Sequence, residues 1–291
     1  METSELLKRV RKIEIKSRGL TNQIFSGQYH SAFKGRGMAF SEVREYNYGD
    51  DIRSIDWNVT ARFDHPYVKI FEEERELTVM LLIDVSGSNS FGTRQMLKVE
   101  KITEIAAVLA FSAIQNNDKV GVIFFSDRIE KFITPKKGTS HILRIIRELV
   151  DFKPQSQLTD LSEPLRFLTN AIKKRCTAFL ITDFIDTNFR DAIKIASRKH
   201  DLVGVRIVDK RETEIPPVGL LKLRDFESNK TFWVDTSGKE FQEAHKQRWQ
   251  QHEKMLHDIF VKSRMDVATV GTDEDFIKPL IKLFKKRESR F

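Results

Sequence analysis

The sequence predicts an α/β fold, a doubly wound and mostly parallel sheet with one antiparallel edge strand. Two stretches carry that prediction. Residues 79–83 and 178–181 are apolar runs without polar alternation, and the polar residues that follow each run include an aspartate, Asp84 and Asp183. Uninterrupted runs of this kind suit parallel strands covered by helices on both faces. Helical patterns alternate with them and with two further runs, 119–125 and 201–208, and right-handed crossovers then place helices on both sides of one sheet.

Taken in order, residues 5–18 have a helical pattern with Leu6, Val10 and Ile13 on one face and basic residues over much of the rest. Such a helix can lie on an anionic membrane surface, but the reading favoured here docks its stripe on its own domain. Residues 27–76 are less periodic and contain one short strand, 67–71. This extension, 1–76, is expected to pack on a main domain, 77–291.

Within the main domain, 99–113 is a strong helix pattern. Residues 119–125 form a buried strand, and 129–134 pair back on it antiparallel at the edge. Pro135 and the Lys136-Lys137-Gly138 stretch form a turn into a helix through His141, Leu143, Ile146 and Leu149, with His141 on its surface. Helices follow at 161–174 and 189–199, a strand at 201–208, and a hairpin of 220–224 with 231–235. A long polar helix at 239–262 carries a thin stripe of Phe241, Trp249, Leu256 and Phe260. A last strand at 266–270 and a helix at 274–285 close the chain, with Lys285-Lys286-Arg287 expected to be solvated.

Composition excludes several classes. The chain has 291 residues, 40% hydrophobic and 32% charged, enough for a sizeable core and unlike a disordered sequence. Its single cysteine, Cys176, precludes an internal disulfide and, at the start of an apolar strand, suits a buried inert thiol better than a nucleophile. The first residues lack the apolar core of a signal peptide and no run approaches a membrane span, so a cytoplasmic location is expected. The net charge of +8 invites a nucleic-acid partner. The basic residues are interspersed with nearly as many acids, however, and no aromatic-interleaved basic stretch appears. A solvated basic surface and no nucleic acid is the better reading.

The chemistry concentrates after residue 83, where Asp84-Val85-Ser86-Gly87-Ser88 places a carboxylate and two hydroxyls at alternate positions. Gly87 lets that turn bend so that the three can converge. Oxygen donors alone suit a hard cation such as Mg²⁺, and neutral hydroxyls leave such an ion electropositive enough to seek an anion. Taken alone, the serines can equally be caps of the following helix. Two further positions join them, Thr159 in a polar turn and Asp183 at the second strand end. Asp84, Ser86, Ser88, Thr159 and Asp183 together resemble the metal-ion-dependent adhesion site of von Willebrand factor A domains. That resemblance implies Mg²⁺ or Mn²⁺ held directly by the serines and, in some states, the threonine. The aspartates would act through water, and a partner's Asp or Glu would complete the shell.

A second pattern lies upstream. Residues 35–46, GRGMAFSEVREY, are followed by Gly49-Asp50-Asp51-Ile52-Arg53-Ser54-Ile55-Asp56-Trp57. The G-D-D-x-R-x-I-D-W pattern resembles the signature of a widespread bacterial family of uncharacterised, von Willebrand factor A-like proteins often associated with MoxR-type AAA+ ATPases. The likeness runs from about residue 27 onward. Asp50, Asp51 and Asp56 can be read as a metal cluster, but Arg44, Arg53 and Arg62 nearby favour an ion-paired structural plug anchored by Trp57.

The function expected is a non-enzymatic, metal-dependent protein-interaction module. The resemblance implies a MoxR-type AAA+ ATPase or its client as partner, in protein assembly or remodelling. The alternative is a metal-dependent phosphoester hydrolase, for which Asp160 or Asp186 would have to supply further carboxylates.

Overall fold

The computed structural model describes residues 11, 13–14, 39–63, 65–72, 77–90, 97–224 and 231–289. The helix expected over 5–18 lies outside them, save for three helical positions. Two compact units emerge, one formed by Lys34–Leu77 and the other by the rest of the chain.

The smaller unit is a two-stranded antiparallel ribbon, β1 (Ala39–Glu45) with β2 (Tyr67–Glu72). Between its strands lie a 3₁₀ turn at Ile52–Ser54 and helix α1 (Trp57–Phe63). The aspartates of the signature do not gather as a cluster. Asp50 pairs with Arg44 at 2.7 Å and accepts the Asn47 N–H, after Gly49 has turned the chain at φ +108°. Asp51 caps the 3₁₀ turn by accepting the Arg53 N–H. Asp56 accepts the N–H groups of Asn58 and Val59 at the start of α1 and lies 3.5 Å from Lys69. Three acids thus do three local jobs, and only the Arg44 pairing matches the expected arginine partners. Trp57 does not serve as a buried anchor among the described residues. It is 66% exposed, because a ribbon with one short helix has too little interior to take an indole.

The larger unit is built on a six-stranded sheet, ordered β10-β7-β6-β3-β4-β5. Its strands are β3 (Thr78–Asp84), β4 (Lys119–Phe125), β5 (Ile129–Lys136), β6 (Thr177–Thr182), β7 (Asp201–Val208) and β10 (Asp266–Gly271). All pairings are parallel except β5 on β4 at the edge. The expected fold class holds. Pro135 and Lys136, expected in a turn, extend β5 instead, which an edge strand permits because one side needs no N–H donors.

Helix α2 (Lys98–Gln115) covers one face and is buried along most of its length, packing on β3, β4, β6 and β7; α3 (Thr139–Val150) lies beside it. On the other face, α4 (Ser162–Ala171), α5 (Arg190–Lys199) and α7 (Lys239–Ser263) enclose a core of Met80, Leu82, Ile123, Leu165, Leu180, Ile193, Leu256 and Ile259. These alternate along the strands with Leu81, Ile83 and Val122, as the pleat requires. A short helix α6 (Lys210–Thr213) and the hairpin β8 (Leu220–Arg224) with β9 (Thr231–Asp235) separate β7 from α7, and α8 (Ile277–Glu288) packs on β10.

Two side chains expected on the surface are structural. His141 is half-buried and its Nε2–H donates to the Val120 carbonyl at 2.9 Å. Arg287 is buried and donates to Asp201 and to Asp266, at 2.5 and 3.2 Å. The sheet also depends on a residue without a side chain. A Cβ on Gly121 would stand 2.7 Å from the Met80 sulfur, 2.9 Å from Pro135 Cγ and 3.0 Å from the Ile133 carbonyl oxygen. Backbone cannot step aside as a side chain can. Gly121→Ala should cost roughly 1–3 kcal/mol in urea unfolding, and an unchanged midpoint would refute this account.

Candidate functional site

The sheet order places the site. From β3 the chain runs outward to β4 and β5, then returns to the other side of β3 with β6, β7 and β10. The reversal lies between β3 and β6, the position at which open α/β sheets bind ligands beyond their strand ends. Asp84 closes β3, and Asp183 directly follows β6. Two aspartates far apart in sequence are therefore neighbours at the switch point.

Both are buried, at 1% and 3% exposure. Asp84 accepts the Ser86 N–H at 2.9 Å through one oxygen and the Thr182 hydroxyl at 2.6 Å through the other. Burial, together with the charge of Asp183, raises its pKa to about 6. The Ser86 and Ser88 hydroxyls lie 3.0 Å apart on the turn that follows. They do not act as caps of α2, which begins only at Lys98.

Thr159 arrives on a loop held from two sides. The Gly87 N–H donates to the Gln157 carbonyl at 3.0 Å, joining the threonine loop to the serine turn. From the end of β4, Ser126 accepts the Asp160 N–H, and Glu130 takes the N–H groups of Gln155 and Ser156. The Thr159 hydroxyl oxygen is buried and has no hydrogen-bond partner among the described residues. A hydroxyl in that condition costs free energy unless something else engages it. The donor set is oxygen throughout and fits a hard divalent cation.

Asp183 is fixed by residues that sequence reasoning missed. Lys98, wholly buried in the first turn of α2, lies 3.0 Å from Asp183 Oδ2 and 2.5 Å from Glu212 Oε1. Its two acids raise the lysine's pKa against the opposing effect of burial. Burial also pushes the Glu212 carboxyl up. Arg206, buried in β7, donates to the Asp183 carbonyl and makes a two-pronged pair with Glu253, at 2.9 and 2.6 Å. The next residue, Phe184, is fully buried with φ +58°, a conformation rare for a bulky side chain. Contacts with the rings of Phe189 and Phe260 hold it there.

Asp160 and Asp186, the additional carboxylates of the hydrolase reading, serve the backbone. Asp160 accepts the Ser162 N–H, and Asp186 accepts those of Leu161 and Asn188. Among the described residues no group of three or more His, Cys, Asp or Glu side chains is placed to hold a metal. No lysine looks special in the sequence of α2, so no signal there could have singled out Lys98. Removing it leaves Asp183 and Glu212 buried without their cation. Lys98→Met should therefore lose about 3–5 kcal/mol in chemical unfolding, whereas Lys246→Met on the exposed face of α7 should lose under about 0.5 kcal/mol. Equal stabilities would remove the lysine from this role.

Comparison with known proteins yields a family and a set of distant folds. The chain is 26% identical over 231 residues to the uncharacterized protein Rv1480 of Mycobacterium tuberculosis, covering 78% of this chain and 73% of the relative. Among solved structures it is similar to the conserved hypothetical protein BatB from Bacteroides thetaiotaomicron, at 18% identity and a TM-score of 0.49, covering 73% of this chain and 99% of that one. It is also similar to the SpRpn10 VWA domain, at 9% identity and a TM-score of 0.43, covering 71% and 94%. The model of the family described as "Protein of unknown function DUF58" matches residues 42–255, and the chain belongs to that family.

Proposed function

We propose that this chain is a protein-interaction module whose contact is made through a divalent cation, Mg²⁺ or Mn²⁺. Ser86, Ser88 and Thr159 would hold the ion, with Asp84 and Asp183 in support. When bound, the ion supplies an electropositive point that attracts an Asp or Glu carboxylate of another protein. The buried, unpartnered Thr159 hydroxyl beside the joined serine turn carries this reading. The partner class, a MoxR-type AAA+ ATPase or its client, rests on the resemblance of the signature alone. No described helix is long and apolar enough to cross a membrane.

The chain's own residues do the positioning. Thr182 and the Ser86 N–H orient the Asp84 carboxylate, and Lys98 and Arg206 fix Asp183 at its side chain and its carbonyl. The Gln157–Gly87 bond sets the threonine loop against the serine turn.

Calorimetric titration of Mg²⁺ and Mn²⁺ into chelator-stripped protein, with and without acetate as a carboxylate ligand, tests the reading. Wild type should bind one ion and Ser86→Ala should bind none. Silence from wild type in both conditions would defeat it. Asp84→Ala should abolish capture of a purified acidic partner while leaving the circular dichroism spectrum intact.

The raised pKa of Asp84 adds a pH signature. Its folded value, about 6, lies above the ordinary 3.8. Stability contributed by its protonation is thus full below the ordinary value and is lost as pH rises through about 6. Measured against Asp84→Asn, which lacks this group, metal-free wild type should lose melting temperature across that window. Added Mg²⁺, which needs the ionised carboxylate, should shrink the loss above pH 6 and do little below it. Parallel melting curves with and without the ion would contradict this.

A further inference from the structure

The opposite edge of the sheet, where β7 begins, carries a second concentration of charge. A cavity of about 520 Å³ opens there against α5 and the end of α7, within the size range of small-molecule sites. Its wall includes Arg175, Lys194, Arg198, Lys262 and Arg264. All five are exposed, and none is ion-paired among the described residues. The one carboxylate on the wall, Asp201, is taken by Arg287.

Helix dipoles account for part of this. Arg198 and Lys262 sit in the last turns of α5 and α7, where a cation is favoured. Arg175, ahead of β6, and Lys194, inside α5, are not explained that way. Arg264 caps α7 in a left-handed conformation, φ +55°, at a position where glycine would be free of strain.

Beneath the cations lies His200, only 1% exposed and part of the same wall. Its Nδ1 is 3.2 Å from the Cys176 sulfur. Burial raises the thiol to about 12, so the thiol keeps its hydrogen. Burial and the nearby Lys199 and Arg175 lower the imidazole to about 4, so the ring is neutral. The contact forms either with the S–H donating to Nδ1 or with an Nδ1–H donating to sulfur. The other ring nitrogen, Nε2, is enclosed and has no hydrogen-bond partner among the described residues. The cavity wall therefore offers five cations with no ion-pair partner among the described residues.

We propose that this cavity binds a small phosphate-bearing polyanion, a phosphomonoester or diphosphate, between the guanidinium groups of Arg175, Arg198 and Arg264. Guanidinium forks match phosphate oxygens in pairs, and the neutral imidazole beneath them adds no further positive charge. The site is separate from the carboxyl edge of the sheet and does not depend on the metal reading.

The test is calorimetric titration of inorganic pyrophosphate in metal-free buffer, with the His200 ring followed by NMR. Wild type should bind one pyrophosphate and the ring signals should move. Arg198→Ser combined with Arg264→Ser, both exposed and safe for folding, should weaken binding at least about tenfold. Lys246→Ser combined with Lys254→Ser, elsewhere on α7, should leave it unchanged. Phosphatidic acid vesicles separate the sources. Binding that pyrophosphate displaces and the arginine pair abolishes would assign a lipid headgroup, and vesicle binding that is absent or indifferent to the pair would assign a soluble phosphate compound. No 1:1 pyrophosphate binding, or equal binding by wild type and the arginine variant, would overturn the proposal.

Discussion

Two carboxylates buried side by side set the terms for one whole edge of the sheet. Asp84 and Asp183 are brought together by strand order, and burying charge in that position needs compensation. Thr182 and the Ser86 N–H serve the first. The second takes Lys98, and a wholly buried ammonium needs more than one partner in turn. Glu212 supplies the second. That glutamate is placed by the short helix α6, whose cap Asp209 accepts the Thr272 hydroxyl just beyond β10. A requirement that begins at the ends of β3 and β6 thus reaches α2, α6 and the end of β10.

Much of this architecture was legible in the sequence because strands buried on both faces are written as uninterrupted apolar runs. The strands at 119–125 and 201–208 were found to the residue, and so was the hairpin at 220–224 and 231–235. The five candidate ligands were legible for a related reason. They sit at strand ends and on a turn, where a polar residue after an apolar run stands out. Lys98 did not stand out. It opens a helix, a common place for a charged residue, and only the fold reveals an acid 85 positions away. Arg287 was misread in the same way, since a basic tail looks solvated until Asp201 and Asp266 are seen beside it. The signature acids failed for another reason. Caps and metal clusters draw on the same residue types, and the sequence does not separate an aspartate that ends a turn from one that holds an ion. Strand β1 and helix α1 were missed because a unit with so little core need not alternate polar and apolar residues.

The fold also explains why the two edges of the sheet differ in charge. In a parallel α/β layer the crossover helices run against the strands. Their positive N-termini arrive at the carboxyl edge and their negative C-termini at the amino edge. The buried acids accordingly lie by the start of α2, and the cations of α5 and α7 lie at the helix ends. The net charge of +8, which in sequence looked like a diffuse basic surface, is in part gathered at one place. Dipoles make such gathering tolerable, but they act over the last turn only. They do not call for an arginine at the left-handed cap of α7 or for Arg175 ahead of β6 on the same wall. Those two features exceed what a helix end requires of its neighbours, and the proposed anion site rests on them.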